Sequence, residues 1–283
     1  MVTPELVLDQ MVEAGYGGTE LGPPGFLGDG ATVRERLGER GLELVGAFLP
    51  LRLSRDEHGA ENHTWLAGAL DLLEQATPGP VRPKAVLADA SVEPDRLAYA
   101  GRIASHPETW LSPQRVQALL DNLHRAGELC QRRGFDAVLH PHAGSYVETE
   151  AEIRATTERL DPALVGLCLD TGHAAFGGAD PAALARDYAR LVRHVHLKDL
   201  DRAVLAEVTR AGGGLAELWR RGVFVELGAG QADVAACVLT LAEQSYEGWL
   251  VVEQDRVVTV RDTAGDLLAA QQRNRSFLAD LGL

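Results

Sequence analysis

Short apolar, β-branched runs alternate with longer stretches of helical period along the whole 283-residue chain. Eight runs have the length and make-up of strands, over 17–22, 42–49, 84–89, 136–142, 166–173, 193–199, 222–228 and 248–255. Helical patterns fill the intervals, among them 63–76, 112–134, 180–191 and 233–248. Several of these open on Ser or Asp followed by Pro, which caps the first turn with a residue that has no amide to leave unpaired. No Pro- or Ser-rich linker or low-complexity tract breaks the alternation. The pattern predicts an α/β fold, a (β/α)8 TIM barrel built as a single domain over 1–283, with a doubly wound open sheet as the second choice. Segments after strands are long in places, notably 88–112, which suits a barrel whose post-strand loops wall a site.

The strand period of two then sorts the polar residues. In 193–199 it sets His194, His196 and Lys198 on one face and Val195 and Leu197 on the other. Cys168 and Asp170 part likewise from Leu167 and Leu169, and Val251, Glu253 and Asp255 from Val252 and Gln254. Helices cover the outside of a parallel barrel, so the polar set faces the interior near its open end. Asp170, His196 and Glu253 therefore converge from three strands. A carboxylate on an apolar strand costs several kcal/mol, roughly, unless a cation meets it. Carboxylates and imidazole without thiolate suit one divalent metal ion, Mn2+, Co2+, Mg2+ or Zn2+, and Glu148, in the loop after the fourth strand, is the expected fourth ligand. Five of the nine histidines (His140, His142, His173, His194 and His196) gather at or just beyond the ends of the fourth to sixth strands.

Composition narrows the function classes. A net charge of −14, from 27 basic and 41 acidic residues, repels phosphate backbones and anionic lipid, so neither nucleic acid nor membrane is an expected partner. Cys130, Cys168 and Cys237 lack the spacing of a disulfide framework or zinc knot. The N-terminal stretch reads as a capped helix, not a signal peptide, which places the protein in the cytoplasm. There is no Walker loop, H-E-x-x-H or G-x-S-x-G, and Gly228–Asp233 lacks the third glycine of a dinucleotide fingerprint and reads as a turn.

The segments GTELGPPGFLG, HPHAGSYVET, CLDTGH, RHVHLKD and GWLVVEQD, in this order, resemble those of the xylose isomerase-like barrel superfamily of sugar-phosphate isomerases, sugar epimerases and inosose dehydratases. The resemblance implies one divalent metal on two glutamates, an aspartate and a histidine, at Glu148, Asp170, His196 and Glu253. It also implies that His173 touches substrate. Where many relatives read G-E-G-x-x-D, this chain has Gly228-Ala229-Gly230-Gln231-Ala232-Asp233, with Glu226 on the preceding strand as the stand-in acid. The implied chemistry is proton abstraction beside a carbonyl, with Glu148 or Glu253 removing the proton and the other returning it. Lys198 and His173 are expected to donate to substrate oxygens, and His140, His142 and Glu20 to line the cavity. The expected activity is that of an isomerase or epimerase of a small ketose or related polyol. A dehydratase of a keto-cyclitol such as inosose is the alternative. An apurinic-site endonuclease-like hydrolase and a non-catalytic sugar- or metal-binding barrel rank below both. The partner is a small sugar or cyclitol, and a homo-oligomer is compatible with the sequence.

Overall fold

The computed structural model describes residues 2–77, 80–91, 93–260 and 262–283. Its strands are β1 (Gly18–Glu20), β2 (Glu43–Leu51), β3 (Lys84–Asp89), β4 (Ala137–Leu139), β5 (Val165–Asp170), β6 (Val192–Leu197), β7 (Asp199–Leu200), β8 (Phe224–Val225) and β9 (Leu250–Val252). Seven of them form one parallel sheet in the order β1-β2-β3-β4-β5-β6-β9. With helices between the strands, this is a nearly closed α/β TIM barrel.

Two cores follow from the alternation of side chains. Large aliphatic residues such as Leu44, Leu87, Leu139, Leu167 and Leu197 belong to one extended buried cluster with residues of the helices, including Leu70, Leu123 and Leu184. Val86, Val138 and Cys168, one residue out of phase with it on neighbouring strands, form a separate small cluster in the barrel interior. The interior positions beyond them carry the polar residues. Register aligns them: Asp170 pairs with His196, and His196 with Val251. Single ladder bonds carry the pattern past the strand ends, from His140 N to Leu87 O at 2.8 Å and from Glu253 N to Leu197 O at 3.0 Å.

The expected seventh strand departs from the barrel. Only Phe224–Val225 is extended, and it pairs antiparallel with β7 instead of joining the sheet between β6 and β9. Competing hydrogen bonds explain this. The buried Asp199 carboxylate accepts from the amides of Gly228, Gly230 and Ala232 at 2.9–3.0 Å, and Asn274, in the helix Ala264–Asp280, accepts from Leu227 N at 2.9 Å. Those amides are spent on side chains and cannot build a ladder.

The long segment after β3 folds back as the short helix Pro94–Ala98 and two single turns. Arg96, fully buried, ties it to Ser145 O at 2.8 Å and to Glu152 at 2.6 Å. Among the described residues no helix is long and apolar enough to cross a membrane.

Replacing Asp199 with alanine strands four amides at once, that of Leu200 with the other three, and is expected to cost roughly 3–5 kcal/mol of stability. Urea unfolding of Asp199→Ala beside wild type measures it.

Candidate functional site

Asp170 ends β5 and caps the helix Thr171–Phe176, its Oδ1 accepting from His173 N at 2.7 Å. The cap uses one oxygen only. Oδ2, buried, accepts no hydrogen bond and lies 3.5 Å from His140 Nε2, 3.7 Å from His196 Nδ1 and 3.2 Å from Lys198 Nζ. Glu253 Oε2 lies 3.3 Å from the same His196 Nδ1 and 2.9 Å from Lys198 Nζ. His140 Nδ1 and Nε2 and His196 Nδ1 are likewise buried without a hydrogen-bond partner. Unpaired polar atoms are costly in a protein interior, and one such atom from each of three neighbouring side chains calls for a shared ligand. Asp170, His196 and Glu253 bring one ligand atom each within 4.8 Å of one another, as do His140, Asp170 and His173. This oxygen and nitrogen set fits a divalent cation.

A second carboxylate orients the histidine. Glu20 Oε1 accepts from His196 Nε2 at 3.0 Å and from His194 Nε2 at 2.6 Å. The bond from Nε2 turns Nδ1 of His196 toward Asp170 and Glu253, the arrangement by which an outer carboxylate fixes a metal-binding imidazole. A bulge in the β1–β2 pairing sets Glu20 opposite Gly46. A Cβ at Gly46 would lie 2.6 Å from Glu20 Oε1 and 3.3 Å from His194 Nε2, so only glycine leaves room for the carboxylate.

Charge in this interior is matched group by group. Burial pushes the Glu20 carboxyl up, but the His196 and His194 imidazoles outweigh it and hold it at about 2. Burial opposes ionisation of Asp170 and Glu253 too, and Lys198 with the neighbouring imidazoles holds both well below the carboxylate range. His196 is held well above the usual imidazole value against burial by the Glu253 and Glu20 carboxylates, so an entering metal must displace its proton. Burial, followed by the positive fields of neighbouring imidazoles and Lys198, depresses His173 strongly and His142 to about 3. His142 Nδ1 donates to Ala143 O at 2.9 Å, which leaves its Nε2 as an acceptor. Burial pushes the Cys168 thiol to about 11, out of thiolate chemistry.

These groups open on a cavity of about 380 Å3 lined by Phe48, His140, His142, Lys198, Trp219, Glu253, Asp255, Arg256 and Val257. The expected residues Asp170, His196, Glu253, His173, Lys198, His140 and His142 thus come together, with Glu20 behind His196. Glu148 does not join them. Its buried carboxylate accepts from Gly101 N at 2.9 Å and Gly144 N at 2.5 Å, tying the long post-β3 segment to the turn after β4. Burial raises it to about 7 against those two amides. The residue that stands beside Asp170 and His196 instead is His140, one position past β4. Glu226 is engaged by Arg273 at 2.7 Å. Asp255, 3.1 Å from Lys198 Nζ, shares a strand face with Glu253 in the sequence, and Phe48 shares one with Gly46 in the run 42–49, whereas Trp219 carried no signal there.

The chain matches, over residues 8–278, the family model described as xylose isomerase-like TIM barrel. It is 34% identical over 257 residues to an inosose dehydratase of Geobacillus kaustophilus, covering 90% of this chain and 80% of that protein. Among solved structures it resembles the IolI protein with a bound zinc atom, at a TM-score of 0.71 and 17% identity over 99% of this chain and 93% of that one. It also resembles an L-ribulose 3-epimerase, at a TM-score of 0.68 and 16% identity over 98% and 88%.

Two measurements follow from this geometry. Chelator competition with Zn2+ should find affinity lowered ~10- to 100-fold in Glu20→Gln and Gly46→Ala, the range for loss of an outer partner, at least as much in His140→Ala, and little changed in Glu148→Gln. Glu148 also carries a pH signature. Its folded carboxyl binds its proton more tightly than the unfolded one, so its ionisation erodes stability as pH rises from 4.5 to about 7, by roughly 2–4 kcal/mol. Urea unfolding of Glu148→Gln at both ends of that window should lack this loss relative to wild type.

Proposed function

This chain belongs to the family of xylose isomerase-like TIM barrels, and within it we propose that it is a divalent-metal-dependent dehydratase of a cyclic keto-polyol of the inosose class. The observation that carries this reading is the 34% identity to an inosose dehydratase over 90% of the chain. The isomerase or epimerase expectation has only likeness of fold behind it, at 16% identity for L-ribulose 3-epimerase.

His140, Asp170, His196 and Glu253 would hold the metal, with His140 in the place expected of Glu148. Bound there, a divalent cation supplies Lewis-acid polarisation of the substrate carbonyl, which acidifies the adjacent C–H. The protein's own groups do the rest. Loss of water breaks one C–H bond beside the carbonyl and the C–O bond one carbon further on, so one group must take a proton and another must give one. Glu253 Oε2 is engaged by His196 and Lys198, whereas no hydrogen bond or ion pair among the described residues engages Oε1. Oε1 takes the proton, and the Lys198 ammonium protonates the departing hydroxyl, which leaves as water. Both groups recover by exchange with solvent. His142 Nε2 accepts from a substrate hydroxyl. Phe48 and Trp219, facing the same cavity, give apolar surface for the C–H face of a ring.

Incubating the Mn2+-loaded protein with an inosose in D2O tests this by mass spectrometry. The account predicts a product lighter by one water, and at least ~100-fold slower formation in Glu253→Gln, as loss of general-base catalysis costs. A product that has lost no water and, returned to H2O, is heavier by one mass unit from deuterium on carbon would overturn it in favour of an epimerase or isomerase.

A further inference from the structure

Among the 27 basic residues only Lys84 and Lys198 are lysines. Lys198 is fully buried, and its ammonium stands among carboxylates that the metal also needs. Nζ lies 2.9 Å from Glu253 Oε2 and 3.2 Å from Asp170 Oδ2. On its other side it lies 3.1 Å from Asp255 Oδ2 and 2.9 Å from His173 Nε2. The Phe224 ring lies 5.2 Å away. The backbone beneath is pinned, Lys198 N donating to Thr171 Oγ1 at 2.9 Å and Thr171 Oγ1 to Lys198 O at 2.7 Å. Gly172 admits the stem, since a Cβ there would lie 2.6 Å from Lys198 Cγ. A compact ammonium is the protein cation nearest in size and charge distribution to a metal ion, which a planar guanidinium is not.

We propose that Lys198 is the internal counter-ion of the metal site: its ammonium holds Asp170 and Glu253 together in the metal-free protein and yields those two carboxylates when a divalent cation binds, keeping Asp255 and His173. The inference rests on the metal reading given above. The buried Asp170 carboxylate and the half-buried Glu253 carboxylate repel each other and resist desolvation, so a cation between them is needed to keep the donor set assembled. A divalent ion on the same two oxygens would stand against the ammonium as a like charge. The two cations therefore compete, and Lys198 lowers metal affinity while it stabilises the metal-free fold. Asp255, 36% exposed at its side chain, gives the displaced ammonium a partner toward the cavity. That is where a proton donor to substrate is required.

Two readouts test the exchange without any turnover. In chelator competition, Lys198→Met should bind Zn2+ tighter than wild type, on the order of 10-fold or more once the like charge is gone. Its metal-free form should melt lower, and its zinc-loaded form should recover most of the difference. Equal or weaker zinc affinity in a folded variant overturns the proposal. Should the variant not fold, wild type labelled with [ε-13C]lysine serves, since its two lysine signals report Lys198 with Lys84 as internal reference. One equivalent of Zn2+ should shift the Lys198 signal and leave the Lys84 signal in place. Stoichiometric zinc uptake with both signals unmoved overturns the counter-ion role alone, whereas no uptake overturns the metal reading with it.

Discussion

A carboxylate buried on a core strand has to be met by positive charge, and the site is organised around that requirement at Asp170. Its Oδ1 caps a helix and its buried Oδ2 faces His140, His196 and Lys198. Every other charged group there answers the same demand. Glu20 balances and aims His196, Lys198 balances Asp170 and Glu253, and Asp255 balances Lys198 on the cavity side. Charges at such separations interact far more strongly than on a surface, so removing any one leaves its partner uncompensated. The barrel supplies the rigidity. Strand register sets Asp170 beside His196, and ladder bonds continue to His140 and Glu253, so the donors sit on the sheet and not on mobile loops.

Much of this was legible in the chain because two periodicities carry it. The period of two placed Cys168, His194, His196 and Glu253 correctly, and the small interior cluster of Val86, Val138 and Cys168 is the physical ground for that reading. The same parity puts His140 on the face of Val138, although Glu148 was the expected ligand. Glu148 was assigned by its place in a motif. After β4 the chain turns through Gly144, and two amides capture its carboxylate behind the turn. The seventh strand failed for a related reason: its apolar run is real, but the amides of Leu227 and Gly228 at its end are claimed by Asn274 and Asp199, residues 29 or more positions away. Side-chain capture of backbone groups is tertiary information that no local pattern holds. Phe48 reaches the cavity from β2 and Trp219 from the helix Leu215–Arg220, and the helix's approach to the cavity is tertiary information of the same kind.

The family match and the local chemistry constrain the function from opposite sides. The family match gives a xylose isomerase-like TIM barrel, and the donor set suits a hard to borderline cation beside the carboxylate and ammonium to which the proposal gives the two proton transfers. A dehydratase needs both proton-transfer partners on one cavity, and Glu253 and Lys198 meet that need on one wall.

The account turns on which side chains hold the metal, and X-ray absorption spectroscopy of the zinc-loaded protein reads them directly. It predicts a shell of oxygen and nitrogen alone, with the outer-shell scattering of two imidazoles, from His140 and His196. A shell with a single imidazole, or one containing the sulfur of Cys168, would contradict it.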